Sequence, residues 1–200
     1  YNPANSLGRR TLMKTTTSTW TTETAAAWSY DQRGRVVSES RMIAGSGTFL
    51  TQWGYNSGDM LSWIKYPGDN LGGSGEQVNY TYLPQGALKT VSGYTAYAPD
   101  IQYDAAGRID LLKMGGTIYV PTLKLDYVYN SWSVQGGRVQ QIKGGTNTDG
   151  TSLQNLSYLY DEVGNIRKIT DAKNSNQAQC FTYDALSRLT HATTYNNAAL

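Results

Sequence analysis

The chain has little of what most chemistry requires. It contains one cysteine, Cys180, and one histidine, His191, in 200 residues. No internal disulfide can form, and a zinc site of Cys and His cannot be assembled. Charged residues make up 16% and the net charge is +2, against about 25% charged in an average domain. The lysines and arginines are scattered, and the densest patch, Arg9, Arg10 and Lys14, reads as a solvated face, so no nucleic-acid partner is expected. No apolar run approaches the ~20 residues of a membrane-spanning helix, and no charged segment leads into an apolar one as in a secretory signal. A Gly-x-Ser-x-Gly elbow that would hold a nucleophile near His191 is missing. The polar stretches 147–150 and 171–176 have oxygen ligands without the closing glutamate of a calcium loop. No catalytic, cofactor-binding or metal-binding residue is assigned on these grounds.

What is abundant is glycine, 21 residues, and tyrosine, 16 residues. They recur in one pattern. Seven times an aromatic or branched apolar residue, a spacer and a tyrosine run into a turn, usually Tyr-Asp-x-x-Gly, followed by a second apolar strand. The clearest copies are Trp28-Ser29-Tyr30-Asp31-Gln32-Arg33-Gly34-Arg35-Val36, Ile101-Gln102-Tyr103-Asp104-Ala105-Ala106-Gly107-Arg108-Ile109 and Tyr158-Leu159-Tyr160-Asp161-Glu162-Val163-Gly164-Asn165-Ile166. Looser copies replace the glycine with Ser187 after Tyr183 and Asp184, or the aspartate with Leu83 between Tyr82 and Gly86. The copy with Tyr55, Asn56 and Gly58 reads as one residue short, and Tyr129-Asn130 reaches Gly137-Arg138-Val139 only after an insertion.

Each unit reads as a β-hairpin, because apolar and polar positions alternate on both sides of a short turn. Period two puts Trp28 and Tyr30 on one face. The aspartate accepts hydrogen bonds from backbone N–H groups just ahead of it, and the glycine supplies a positive φ to finish the loop. Turns thus account for Asp31, Asp104, Asp161 and Asp184, leaving no reason to count them as general acids. In the return strand an apolar residue is often followed three positions later by another, as in Val139 to Ile142 and Ile166 to Ile169. An offset of three would change faces, so either a bulge or burial on both faces is implied.

The turn-opening tyrosines are 21 to 31 residues apart, too irregular for a rigid solenoid; the extra length sits in Gly/Asn/Ser/Thr stretches that read as variable connections. The division expected is 1–27 as a degenerate N-terminal repeat or linking strands, with Gly8-Arg9-Arg10 as a return turn, 28–194 as about seven repeats, and 195–200 as the cut end of the repeat region. Without an initiator methionine, the chain is expected to be a piece of something longer. The motif resembles that of the RHS/YD-repeat proteins, named for this Tyr-Asp signature, over nearly the whole chain.

That resemblance implies an all-β fold of tandem β-hairpin YD repeats forming a spiralling sheet, part of a hollow shell, as in bacterial RHS polymorphic toxins, the B and C components of toxin complexes, and teneurins. It implies a secreted or cell-surface location, and as partners the remainder of the same shell and an enclosed toxin or cargo domain. No Asp-Pro dipeptide occurs, so the self-cleavage domain of RHS toxins does not carry over. Seven hairpins give about fourteen strands, a sheet ~67 Å long at ~4.8 Å per strand. Closed into a ring ~21 Å across, it could not enclose a compact domain more than ~30 Å wide. A second function class is adhesion or carbohydrate binding through tryptophans off the repeat positions, Trp63 and Trp132 foremost and Trp20 with them. Cys180 is expected to be buried beside Phe181.

Overall fold

The computed structural model describes residues 3–19, 21–68, 74–117 and 120–196; Trp20 lies outside them. The chain is almost entirely β and divides into two compact units, Tyr1–Thr95 and Ala96–Leu200. In the first, β1 (Leu12–Thr16), β2 (Thr22–Tyr30), β3 (Val36–Ile43), β4 (Gly47–Tyr55), β5 (Leu61–Lys65), β6 (Gln77–Tyr82) and β7 (Leu88–Ser92) lie side by side in chain order. The second opens with the short β8 (Ala96–Ala98). It continues through β9 (Asp100–Tyr103), β10 (Ile109–Met114), β11 (Leu123–Tyr129), β12 (Val139–Gly145), β13 (Gln154–Tyr160), β14 (Ile166–Asp171), β15 (Gln177–Tyr183) and β16 (Leu189–Tyr195), and β9 to β16 again neighbour one another in chain order. A single turn of helix, α1 (Trp132–Gln135), occupies the insertion after Tyr129. All pairings are antiparallel, as strands joined by short turns must be.

The register resolves the offset of three. Tyr30 pairs with Val36, but Ser29 pairs with Ser38, leaving Val37 as an extra residue. The same bulge, one residue into the return strand, follows Leu61, Leu88, Ile109, Val139, Ile166 and Leu189. Directly opposed residues share a face. Tyr127 and Tyr129 oppose Ile142 and Val139, and Tyr158 and Tyr160 oppose Ile169 and Ile166. The extra residue therefore keeps both return-strand apolar residues beside the tyrosines, where an unbulged strand would send one to the opposite face.

The two faces differ in chemistry. One carries the tyrosines with Trp28, Trp53, Phe181 and their branched partners, and includes the buried Ala26, Val78 and Ile101. The other is largely polar and pairs hydroxyls and amides across strands: Ser29 with Ser38, Thr81 with Thr90, Gln141 with Asn155 and Thr182 with Thr190. Among the described residues no large side chain is fully buried. Cohesion must then come from neighbour-to-neighbour contacts along each sheet.

Trp63 is one such contact. It lies directly across from Gly54, and its indole covers the place a Cβ at Gly54 would occupy. Large aromatics packed over a cross-strand glycine replace the side chain that glycine lacks. Gly54→Ala would displace the indole and is expected to cost about 1–3 kcal/mol, measured as a lowered urea midpoint at unchanged slope.

Candidate functional site

The turns are built on one plan. At the first, the Asp31 N–H donates to the Arg35 carbonyl and the Gly34 N–H to the Asp31 carbonyl, both at 3.0 Å. Asp31 Oδ1 accepts from the N–H groups of Arg33 and Arg35 at 2.9 Å. Asp104 and Asp184 accept equivalent pairs, and Asn56 does so through its amide oxygen. Asp161 takes Gly164 and Asn165, both at 2.7 Å. Leu83 has no side-chain acceptor, yet the backbone bonds are the same, with Gly86 at φ 89° closing the loop. At Asn130 the closing bond to the Arg138 carbonyl spans the α1 insertion, with Gly137 at φ 71°.

One sequence expectation is corrected here. The hairpin at Tyr55 is full length: Asp59, at φ 64°, stands where other turns have glycine. Gly58 sits one place earlier, in the loop, its N–H donating to Asn56 Oδ1. The return strand starts at Leu61, six residues after the tyrosine, as in every other turn but the one with the insertion after Tyr129.

Successive hairpins are joined by their tyrosines. The Tyr55 hydroxyl donates to the Val36 carbonyl at 2.9 Å and Tyr82 to Leu61 at 2.8 Å. In the second unit Tyr129 donates to Ile109 at 2.7 Å, Tyr160 to Val139 at 2.7 Å and Tyr183 to Ile166 at 2.9 Å. The acceptor in each case is the first residue of the preceding return strand. The bulge explains why. The β3–β4 ladder begins at Ser38, immediately after the bulged Val37, and β12–β13 begins at Gln141, after Gln140. The strands part toward the turn, and the phenol spans the gap to a carbonyl that the ladder leaves behind. Gly8-Arg9-Arg10 takes part in the same way: Tyr30 donates to the Arg10 carbonyl at 2.6 Å and Gly8 has φ 74°.

The residue after the glycine completes the joint. Arg35 and Arg108 bind the carboxylate of their own turn through Nε at 2.7 Å and lie over the ring of the next tyrosine, 4.5 Å from Tyr55 and 3.9 Å from Tyr129. Arg9 and Arg138 stack on Tyr30 and Tyr160. These guanidiniums also cross the glycine of the next turn: Arg9 covers Gly34, Arg138 covers Gly164, and Arg108 donates to the Gly137 carbonyl. Glycine there serves positive φ and leaves room for the arginine. Where the position is not glycine, its side chain bonds to the preceding repeat: Asp59 to Arg35 at 2.5 Å and Ser187 to Asn165 at 3.2 Å.

Electrostatics follow from this arrangement. The Arg108 guanidinium and then its N–H hold the Asp104 carboxyl below the usual carboxylate range, and the Arg188 N–H leads in doing so for Asp184. At Asp31 burial pushes upward, but the Arg35 N–H and guanidinium outweigh it and the net is again downward. Burial pushes the Tyr129 and Tyr160 phenols up.

The residues weighed for chemistry are dispersed. His191 is exposed on β16 opposite Thr182. Cys180 is half-buried, not buried, and lies on the face opposite to that of Phe181, across from Lys168 and Thr193. Asp149 is used by the N–H and hydroxyl of Thr151. Among the described residues no three metal-ligating side chains cluster, and no helix is long and apolar enough to cross a membrane. Trp132 is 66% exposed on α1, with the Arg108 guanidinium 5.0 Å from its ring.

Residues 160–199 match the family profile described as RHS Repeat. That stretch carries an RHS repeat. The fold of the chain is that of segments of solved toxin-complex components. Some 86% of the chain superposes on 9% of a chain in the TcdB2–TccC3–Cdc42 crystal structure, at TM-score 0.67 and 19% identity. The same shares superpose on the Photorhabdus luminescens Tc holotoxin pore with a mutated TccC3, at 0.66 and 20%. In TcdB2–TccC3–TEV the shares are 91% and 10%, at 0.66 and 18%. The chain thus spans about a tenth of the length of these neighbours. No curated protein matches it.

Two measurements test the joint. Tyr160→Phe removes one hydroxyl and leaves the Val139 carbonyl without its donor, with an expected loss of about 0.5–1.5 kcal/mol in chemical denaturation. Acidification should act on the aspartates. Their folded carboxyls titrate below the unfolded value of about 4, so their contribution is complete above that pH and fades as pH falls through the lower folded values. Asp104→Asn, which keeps an Oδ1 acceptor as Asn56 does, should flatten the fall in melting temperature below about pH 4; an unchanged pH profile would remove the Arg108 pairing as its cause.

Proposed function

We propose that this chain is a length of wall from a larger, exported RHS/YD-repeat shell that encloses a C-terminal toxin or cargo and performs no chemistry of its own. The observation that carries this reading is the joint between hairpins. Within each unit successive hairpins are joined by a tyrosine at the same position, with an arginine over the ring at Tyr30, Tyr55, Tyr129 and Tyr160, so each sheet extends by addition of units without a central core. Such a construction suits a barrier. Its polar face carries serine, threonine, asparagine and glutamine side chains, many bonded to each other, together with charged residues such as Lys168 and the Lys113–Asp100 ion pair.

The fold likeness supports the same assignment. One of the similar structures is described as TcdB2–TccC3 without a hypervariable C-terminal region, a component whose variable end is separable from the rest. By analogy the partners are the remaining shell and a C-terminal cargo, and the location is extracellular. The adhesion or carbohydrate alternative keeps one residue in its favour, the exposed Trp132, since Trp63 is occupied in covering Gly54.

Limited proteolysis of the intact parent protein tests this. A discrete C-terminal fragment that survives digestion and becomes sensitive when the wall is denatured is the expected result. Uniform digestion of everything beyond the repeats, together with glycan binding lost on Trp132→Ala, would replace the shell reading with the adhesive one.

A further inference from the structure

The joints between hairpins are not equally filled. The rings of Tyr30, Tyr55, Tyr129 and Tyr160 each lie beneath a guanidinium. In the turn after Tyr82 the Met60 sulfur takes that role, 3.8 Å from the place of a Cβ at Gly86. The joint at Tyr183 receives neither. Asn165 stands where the arginines do, and its shorter side chain ends on Asp161 Oδ2 at 2.9 Å and Ser187 Oγ at 3.2 Å. Asp161 therefore accepts only from neutral N–H groups, those of Gly164 and Asn165 and the Asn165 amide. Asp31, Asp104 and Asp184 are each paired with an arginine at 2.5–2.6 Å. A cavity of about 930 Å3 opens at this joint, lined by Asp161, Asn165, Tyr183 and Ser187. Arg167 and Lys168 line it too, yet among the described residues neither pairs with Asp161.

We propose that this gap binds a guanidinium group supplied from outside the chain. The Arg35 joint is the template, because there too the turn position across from the arginine is not glycine. One guanidinium bonds to Asp31 Oδ2 and Asp59 Oδ1 and lies 4.5 Å from the centre of the Tyr55 ring. An incoming group would take Asp161 Oδ2 and Ser187 Oγ as acceptors, in place of the Asn165 amide, and lie over the Tyr183 ring. A carboxylate without a counter-charge beside an aromatic face favours a cation. Planar geometry and several donors favour guanidinium over ammonium. Both anchors are already held, Tyr183 by its 2.9 Å bond to the Ile166 carbonyl and Asp161 by the turn, so little ordering is needed on binding. The cavity exceeds the size of the group itself, so the guanidinium can arrive on a small molecule or on an arginine side chain. The site lies inside one unit, and this inference does not depend on what the wall encloses.

The test is an NMR titration of the intact chain with methylguanidinium, with the peptide N-acetyl-Gly-Arg-Gly-amide and with its lysine counterpart. The Tyr183 ring and Asn165 side-chain signals should shift to saturation with both guanidinium probes, and the lysine peptide should bind about fivefold more weakly than the arginine one. Asp161→Asn keeps an Oδ1 acceptor for the turn, as Asn56 does, and should weaken binding about tenfold, as loss of one charged hydrogen bond does. Asn165→Arg supplies the group from within and should abolish binding while raising the melting temperature. A peptide that binds more tightly than methylguanidinium assigns the group to a polypeptide, and equal binding assigns it to a small guanidinium compound; either supports the site. Absence of shifts at these signals, equal binding of the arginine and lysine peptides, or binding untouched by both substitutions would overturn the proposal.

Discussion

The hydrogen bond from a tyrosine hydroxyl to a return-strand carbonyl one hairpin earlier is the constraint on which the other features depend. The bulge after each turn puts one residue too many into the return strand, so the ladder to the following hairpin cannot run to the end. A carbonyl is left facing a gap several ångströms wide. A phenol is long enough to bridge it, and at Tyr30, Tyr55, Tyr129 and Tyr160 its ring also lies beneath the guanidinium that precedes the earlier return strand. Arg35 and Arg108 are fixed by the aspartate of their own turns, and the guanidiniums cross a bare glycine at Gly34, Gly137 and Gly164 or bond to Asp59. Where tyrosine, aspartate, glycine and arginine occur together, as at Asp104, Gly107, Arg108 and Tyr129, they form one bonded set.

Each joint is worth little by itself, since a single bond of this kind contributes about 0.5–1.5 kcal/mol. Neighbour terms in a repeat array add along the chain. This accounts for a sheet that holds together without a fully buried large side chain among its described residues. It also gives the two faces different roles. The aromatic face carries the joints, and the polar face is left to meet whatever lies beside it.

Much of this is legible in the residues. The tyrosine, the aspartate and the glycine stand out because they recur, and alternation around them yields hairpins with the right face. The offset of three signals either a bulge or burial on both faces, and only the register decides. Arginine after glycine is visible at positions 35, 108 and 138, and after serine at 188, but its reach to the next tyrosine is a contact between repeats, which one repeat read alone does not contain. Gly58 reads as the turn glycine when residue type is given precedence over spacing; counting six residues from Tyr55 to Leu61 finds Asp59 instead. Trp63 has no visible role until Gly54 is known to lie opposite.

The insertion after Tyr129 has a further consequence. It adds α1 to the loop, yet Asn130 still closes onto Arg138, Gly137 keeps its positive φ, and Tyr129 and Arg138 keep their partners. The sheet therefore reads only the two ends of a turn and is indifferent to what lies between them. Loop tips are the place where this architecture can acquire new segments without renegotiating its fold, and each hairpin is in that sense an independent port for grafted sequence.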